Sequence, residues 1–169
     1  SGQFFHYFAG EVHRQIDDRT DSVRPGIEVD TRREPVGVVA VISPWNFPMA
    51  TAVWKIAPAL AFGNSVVFKP ANLVPASAWA LTEIISRQSA LPAGTFNLVM
   101  GSGSTVGDAI INSDKIHAVS FTGSLPVGRE VAKATAANLV KCQLEMGSKN
   151  ALIVAADADL DVAVNAAFV

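Results

Sequence analysis

A chain of 169 residues, half of them hydrophobic, is long and apolar enough to bury a sizeable core, which excludes a disordered segment. Its 13 Lys and Arg stand against 15 Asp and Glu, and the basic residues are scattered, so neither nucleic acid nor a membrane surface is indicated as a partner. No apolar run approaches the roughly 18 residues of a spanning helix, no secretory pattern opens the chain, and the lone Cys142 excludes an internal disulfide framework and a multi-cysteine metal site. A cytosolic setting is expected, with Cys142 read as a buried thiol in preference to a nucleophile.

In chain order, "GQFFHYFAGEVHRQI" places Phe4, Phe5, Phe8, Val12 and Ile16 on one face of a helix. His6 and His13 flank that face without a second ligand at metal-binding spacing, so no metal site is read there. The polar stretch that follows reads as a connection with one exposed strand at "GIEVDT", and a boundary falls near Pro35. Residues 1–34 are thus a helix and linker, and 35–169 a separate unit.

From Pro35 onward, strands and helices alternate. The apolar run "VGVVAVI" predicts a strand, "MATAVWKIAPALAFG" a helix ending at Gly63, "SVVFK" a strand, and "PASAWALTEIISRQ" a helix opened by Pro75. Strand "FNLVM", helix "TVGDAIINS", strand "KIHAVSF" and helix "LPVGREVAKATAA" follow. Two strands, "LVKCQLEM" and "ALIVA", then precede a helix at "DLDVAVNAAFV". Short apolar strands separated by amphipathic helices define an α/β class with an open, mostly parallel sheet, Rossmann-like, covered on both faces.

Such sheets bind ligands at the carboxyl ends of their strands. Those ends carry "SPWNFP", "KPAN" from Lys69, "GSGSTVG" from Gly101, "TGS" from Thr122 and "EMGSKN" from Glu145. Each also has a plain structural reading. Asn46 would cap the next helix, Lys69 would be a solvated charge, and a lone glycine turn spaced G-x-G-x-x-x-G is weak evidence. Glu145 is either a surface residue or a partly desolvated carboxylate at the end of an apolar strand.

The order of these motifs, "PWNFP", "KPAN", "GSGSTVG", "FTGS" and "EMGSK", resembles that of the NAD(P)-dependent aldehyde dehydrogenase superfamily over about Arg33 to Ala155. The wording of "KPANLVPASAWALTEI" and "LPAGTFNLVMG" is similar to bacterial 2,5-dioxopentanoate (α-ketoglutarate semialdehyde) dehydrogenases. The resemblance implies oxidation of a small aldehyde to a carboxylic acid through a cysteine thiohemiacetal and thioester. Asn46 would donate to the oxyanion, and Glu145 would activate water against the thioester. It implies NAD or NADP as cofactor. Lys69 would sit at the adenosine ribose or its phosphate, Ile42, Ser43, Pro44 and Trp45 would line the dinucleotide, and Gly103, Gly107 and Ser124 would lie near adenine and pyrophosphate. Asn72, where NAD-preferring relatives commonly carry a glutamate, adds no charge against a 2′-phosphate, so NADP should be accepted.

Two departures accompany the resemblance. Ser148 replaces the second glycine of the family's "ELGG", and the family's nucleophilic cysteine, in a "GQxC" motif, lies beyond Val169. The resemblance therefore implies a central piece of a longer, oligomeric enzyme, inactive by itself, in which 35–169 are a partial dinucleotide-binding domain. A dinucleotide-binding module without chemistry is the alternative.

Overall fold

The structure, a computed structural model, describes residues 1–88, 90–147 and 151–168. Five strands form a parallel sheet: β3 (Val38–Ile42), β4 (Ser65–Lys69), β5 (Phe96–Leu98), β6 (Ala118–Gly123) and β7 (Lys141–Met146), in the order β5-β4-β3-β6-β7. Before them come α1 (Gly2–Val12) and an antiparallel hairpin of β1 (Asp18–Asp21) and β2 (Glu28–Thr31). The crossovers are α2 (Ala50–Ala61), α3 (Pro75–Ser86), a π-helical turn (Gly103–Gly107) running into α4 (Asp108–Ile111), and α5 (Leu125–Ala137). A final helix, α6 (Leu160–Ala167), completes the order. The α/β class and the parallel sheet follow the sequence expectation.

Side-chain alternation along the strands builds two cores. Val39 and Val41 of β3 with Val66 and Phe68 of β4 face α2 and α3, and Phe4, Phe5 and Phe8 of α1 pack against the same cluster. Ala40, Val119, Phe121 and Val131 form the other core with Ile110 and Ile111 of α4. Parallel strands covered on both faces must be apolar throughout, and Ala40, Val41, Val66 and Phe68 are fully buried. Phe4 also meets Trp54 of α2 edge-on at 5.6 Å.

Several expectations change. The first helix stops at Val12, leaving Ile16 outside it and exposed. The linker holds a hairpin where one strand was expected, because β1, "DRTD", is polar and exposed at every position and carries no alternation to read. The run "ALIVA" at 151–155 forms no strand: its residues are exposed and pair with none of the described strands. A strand exists only as a partner in a ladder, so an apolar run without one stays unpaired coil. Cys142 is exposed, not buried, because β7 is an edge strand and only Leu144 and Met146 of it are partly covered. Ser148 lies outside the described residues.

Candidate active site

The sheet is built outward in two directions. From β3 the chain steps through β4 to β5 on one side, then restarts at β6 and steps to β7 on the other. The helices following β3 and β6 leave toward opposite faces, so a crevice opens between the carboxyl ends of those two strands. A cleft of about 630 Å³ occupies that place, and it contains Ile42, Ser43, Pro44, Trp45, Asn46, Lys69, Gly103, Ser124 and Glu145 of the residues singled out in the sequence. Gly107 lines an adjoining slot of about 300 Å³ that shares Ile42, Lys69 and Gly103 with the cleft. Asn72 lies in a separate shallow hollow with Pro75, Met100 and Gly101.

Local sequence explains each position. Asn46 follows β3 in the loop to α2, and it is exposed, its side chain without a hydrogen bond among the described residues; the helix N-cap is Met49, without a side-chain cap. The capping role therefore falls away, and the Asn46 amide is free to face the cleft. Lys69 ends β4 and is buried, its Nζ donating to the Pro70 carbonyl at 3.1 Å. Burial lowers its pKa, and its alkyl stem runs past Gly107, where a Cβ would stand 3.8 Å from Cε. Gly101, at φ +152, is the one glycine the turn strictly requires, since a Cβ there would reach within 2.3 Å of Val106. Ser102 caps the turn by accepting from the Thr105 amide at 3.1 Å. Ser124 precedes α5, whose first turn carries Pro126 and whose amino end opens onto the cleft.

Glu145 lies opposite Thr122 in the β6–β7 register and is exposed, not desolvated as an apolar strand would imply. Edge position again is the reason. Its carboxylate receives the Gln143 amide at 3.3 Å. Ser43 and Thr122 both bury hydroxyl oxygens that have no hydrogen-bond partner among the described residues.

One charged residue was missed by sequence reasoning. Lys55 sits mid-helix in α2 and is buried; desolvation lowers its pKa, and the charge of Glu145 works in the opposite direction. The signal was present as a lysine within the apolar helix "ATAVWKIAPALA". Trp54, beside it in sequence, also lines the cleft. Among the described residues no group of three or more His, Cys, Asp or Glu is placed to hold a metal ion.

A doubly wound parallel sheet with polar groups gathered at its switch point defines a nucleotide-binding class of α/β protein. The match is more specific than that. The aldehyde dehydrogenase family profile covers residues 1–169, and the chain belongs to that family. It is 48% identical over 162 residues to an alpha-ketoglutaric semialdehyde dehydrogenase of Bacillus subtilis (95% of this chain, 33% of the relative). It is 47% identical over 159 residues to a 2,5-dioxopentanoate dehydrogenase of Saccharolobus solfataricus (92% of this chain, 33% of the relative). A crystal structure of betaine aldehyde dehydrogenase from Staphylococcus aureus, in complex with NAD+, superposes with a TM-score of 0.92 at 41% identity, covering 96% of this chain and 32% of that one. The chain thus spans about a third of the length of the relatives it matches.

Proposed function

We propose that this chain is the cofactor-binding portion of an NAD(P)-dependent aldehyde dehydrogenase that converts an aldehyde and water into a carboxylic acid. The carrying observation is that Asn46, Lys69 and Glu145, from three different strand ends, line one cleft. No packing requirement brings an amide, a buried ammonium and a carboxylate together at a switch point.

The residues present fit a dinucleotide. Among the described residues Lys69 holds one hydrogen bond, to Pro70, and so retains donors for a ribose hydroxyl or phosphate. The adjoining slot carries Ile111, Val127 and Val131, an apolar surface suited to a planar base. The bound cofactor supplies a hydride acceptor. Ile42, Ser43, Pro44 and Trp45 would line it, and Gly103, Gly107 and Ser124 would stand near its adenine and pyrophosphate. Asn72 adds no negative charge beside that region, which supports acceptance of NADP as well as NAD.

Asn46 then acts on the reacting carbonyl. A cysteine thiolate, supplied by the full-length protein, adds to the aldehyde carbon, and the Asn46 amide donates to the oxygen as negative charge develops. A neutral amide suits this role because it stabilises the charge and has no proton to lose. Loss of hydride leaves a thioester. Glu145 takes a proton from water as that water's oxygen bonds to the thioester carbon, the C–S bond breaks, and the thiolate is regenerated as the acid leaves.

The two relatives at 48 and 47% identity favour α-ketoglutaric semialdehyde as the substrate. We read the full-length enzyme as a cytoplasmic homo-oligomer acting on a small aldehyde; no described helix is long and apolar enough to cross a membrane.

The test uses the full-length enzyme. Asn46→Ala should lower kcat by roughly 10²–10³. Glu145→Gln should give a burst of reduced cofactor followed by accumulation of acyl-enzyme. Parental turnover in both variants would overturn the assignment.

A further inference from the structure

Gln143 sits two residues before Glu145 on β7, so the two side chains share one face of the edge strand. The Gln143 Nε2 donates to Glu145 Oε1 at 3.3 Å, and its Oε1 accepts from the Ser120 hydroxyl at 2.6 Å. Ser120 lies directly opposite Gln143 in the β6–β7 register and is buried. The chemistry fixes the amide's orientation. An ionised carboxylate only accepts, so the nitrogen must face Glu145, the carbonyl must then face Ser120, and the serine must donate.

We propose that Gln143, anchored by Ser120, is the positioning residue for the Glu145 carboxylate, tying one oxygen down and leaving the other to meet the attacking water. The inference rests on the reading of Glu145 as general base. A glutamate on an exposed edge strand has three side-chain torsions to fix before it can take a proton along a defined line. Gln143 is its only hydrogen-bond partner among the described residues, and the short bond to Ser120 roots that partner in the sheet. Glutamine also suits the proton inventory. It carries no titratable proton, so it holds the oxygen before and after Glu145 receives the proton from water. Ser120 and Gln143 do not touch the reacting atoms; their effect reaches the chemistry through Glu145.

The experiment follows hydrolysis of the acyl-enzyme in the full-length protein, alongside steady-state kinetics. Gln143→Met, close in size and without polar hydrogens, should slow hydrolysis by about tenfold while kcat/KM stays within about twofold, because acylation precedes the step affected. Preserved kcat/KM also reports that the variant is folded. Ser120→Ala should slow hydrolysis about threefold, and the double variant should be no slower than Gln143→Met, since Ser120 acts only through Gln143. Gln143→Glu, placing a like charge beside Glu145, should be slower than Gln143→Met. Parental hydrolysis in Gln143→Met, additive losses in the double variant, or an equal fall in kcat and kcat/KM would overturn the proposal. Glu145→Gln separates the two levels. If it fails to slow hydrolysis, the base assignment falls and this inference with it; if it slows hydrolysis and Gln143→Met does not, only the positioning role is lost.

Discussion

Asn64 ties the start of the central strand to the end of the helix behind it, and its replacement should be costly. It is 8% exposed, and its Oδ1 accepts from the amides of Val36 at 2.8 Å and Gly37 at 3.1 Å. Its Nδ2 donates to the Ala59 carbonyl at 3.1 Å and to Phe62 at 3.4 Å. Asn64→Leu keeps the branched shape and removes all four contacts. The Ala59 carbonyl retains the Asn64 backbone amide at 2.9 Å, so its loss is small. Among the described residues the Val36 and Gly37 amides have no such substitute. An orphaned buried donor costs about 1–3 kcal/mol, and these two are half-buried, so the lower half of that range applies to each: about 2–4 kcal/mol in total. Urea unfolding of the full-length protein should show a lower midpoint with an unchanged slope. Hydrogen exchange should show lost protection in the peptide spanning residues 35–42. Well below the midpoint, kcat/KM should stay at the parental level, because the cleft lies at the opposite end of β3. A midpoint shift worth less than about 0.5 kcal/mol, the range of an ordinary surface substitution, would refute the reasoning.

Lys55 should make stability depend on pH. Its folded pKa is lowered by burial, so the unfolded chain holds the proton over the interval between the two values, and stability rises with pH across it. The cost of the buried charge is fully present below the folded pKa, so Lys55→Met should be more stable than the parent near neutral pH and should lose that advantage as pH climbs toward 10.5; unfolding midpoints whose difference stays constant with pH would contradict this. Cys142 points to the face of β7 opposite Glu145, by strand alternation, so Cys142→Ser should leave turnover of the full-length enzyme unchanged in a steady-state assay. Asn72→Glu should shift the kcat/KM ratio toward NAD if this position reads the ribose; an unchanged ratio would place cofactor choice elsewhere, as the separate hollow holding Asn72 allows.

The parallel core and its rim were legible because burial on both faces forces runs such as "VVAVI" and "SVVFK", and because a sheet of this class places functional groups just after its strands. Asn46, Lys69 and Glu145 were found that way. What stayed hidden depends on pairing between distant segments. The β1–β2 hairpin is held by its backbone ladder and an Arg19–Glu28 ion pair, neither of which leaves an apolar pattern. The Ser120–Gln143 bond requires the register of β6 against β7, which no local feature of "KIHAVSF" or "LVKCQLEM" declares. Burial was less legible: Cys142, expected inside, and the run at 151–155, expected as a strand, are exposed, while Lys55, passed over within an apolar helix, is buried.

Strand alternation also divides the labour of the cleft between the two faces of the sheet. Val67 belongs to the core on the α4 and α5 face, and Lys69, two residues on, shares that face with Ile42 and Phe121, beside Gly107. Ala118 belongs to the core on the α2 face, and Ser120 and Thr122 continue its parity, opposite Gln143 and Glu145. Ser43 continues the parity of Val39 and Val41 on that same face. Lys69 therefore descends on one side of the sheet and Glu145 on the other, with the crevice between β3 and β6 lying between them. A slip of one residue in β6 would exchange Thr122 for Phe121, putting a phenyl ring in the polar row and a hydroxyl in the apolar core. The apolar contacts of Val119 and Phe121 with Val131 forbid that slip. The same packing that stabilises the core thus fixes which side of the cleft each polar group faces, and the site's geometry follows from the core's register.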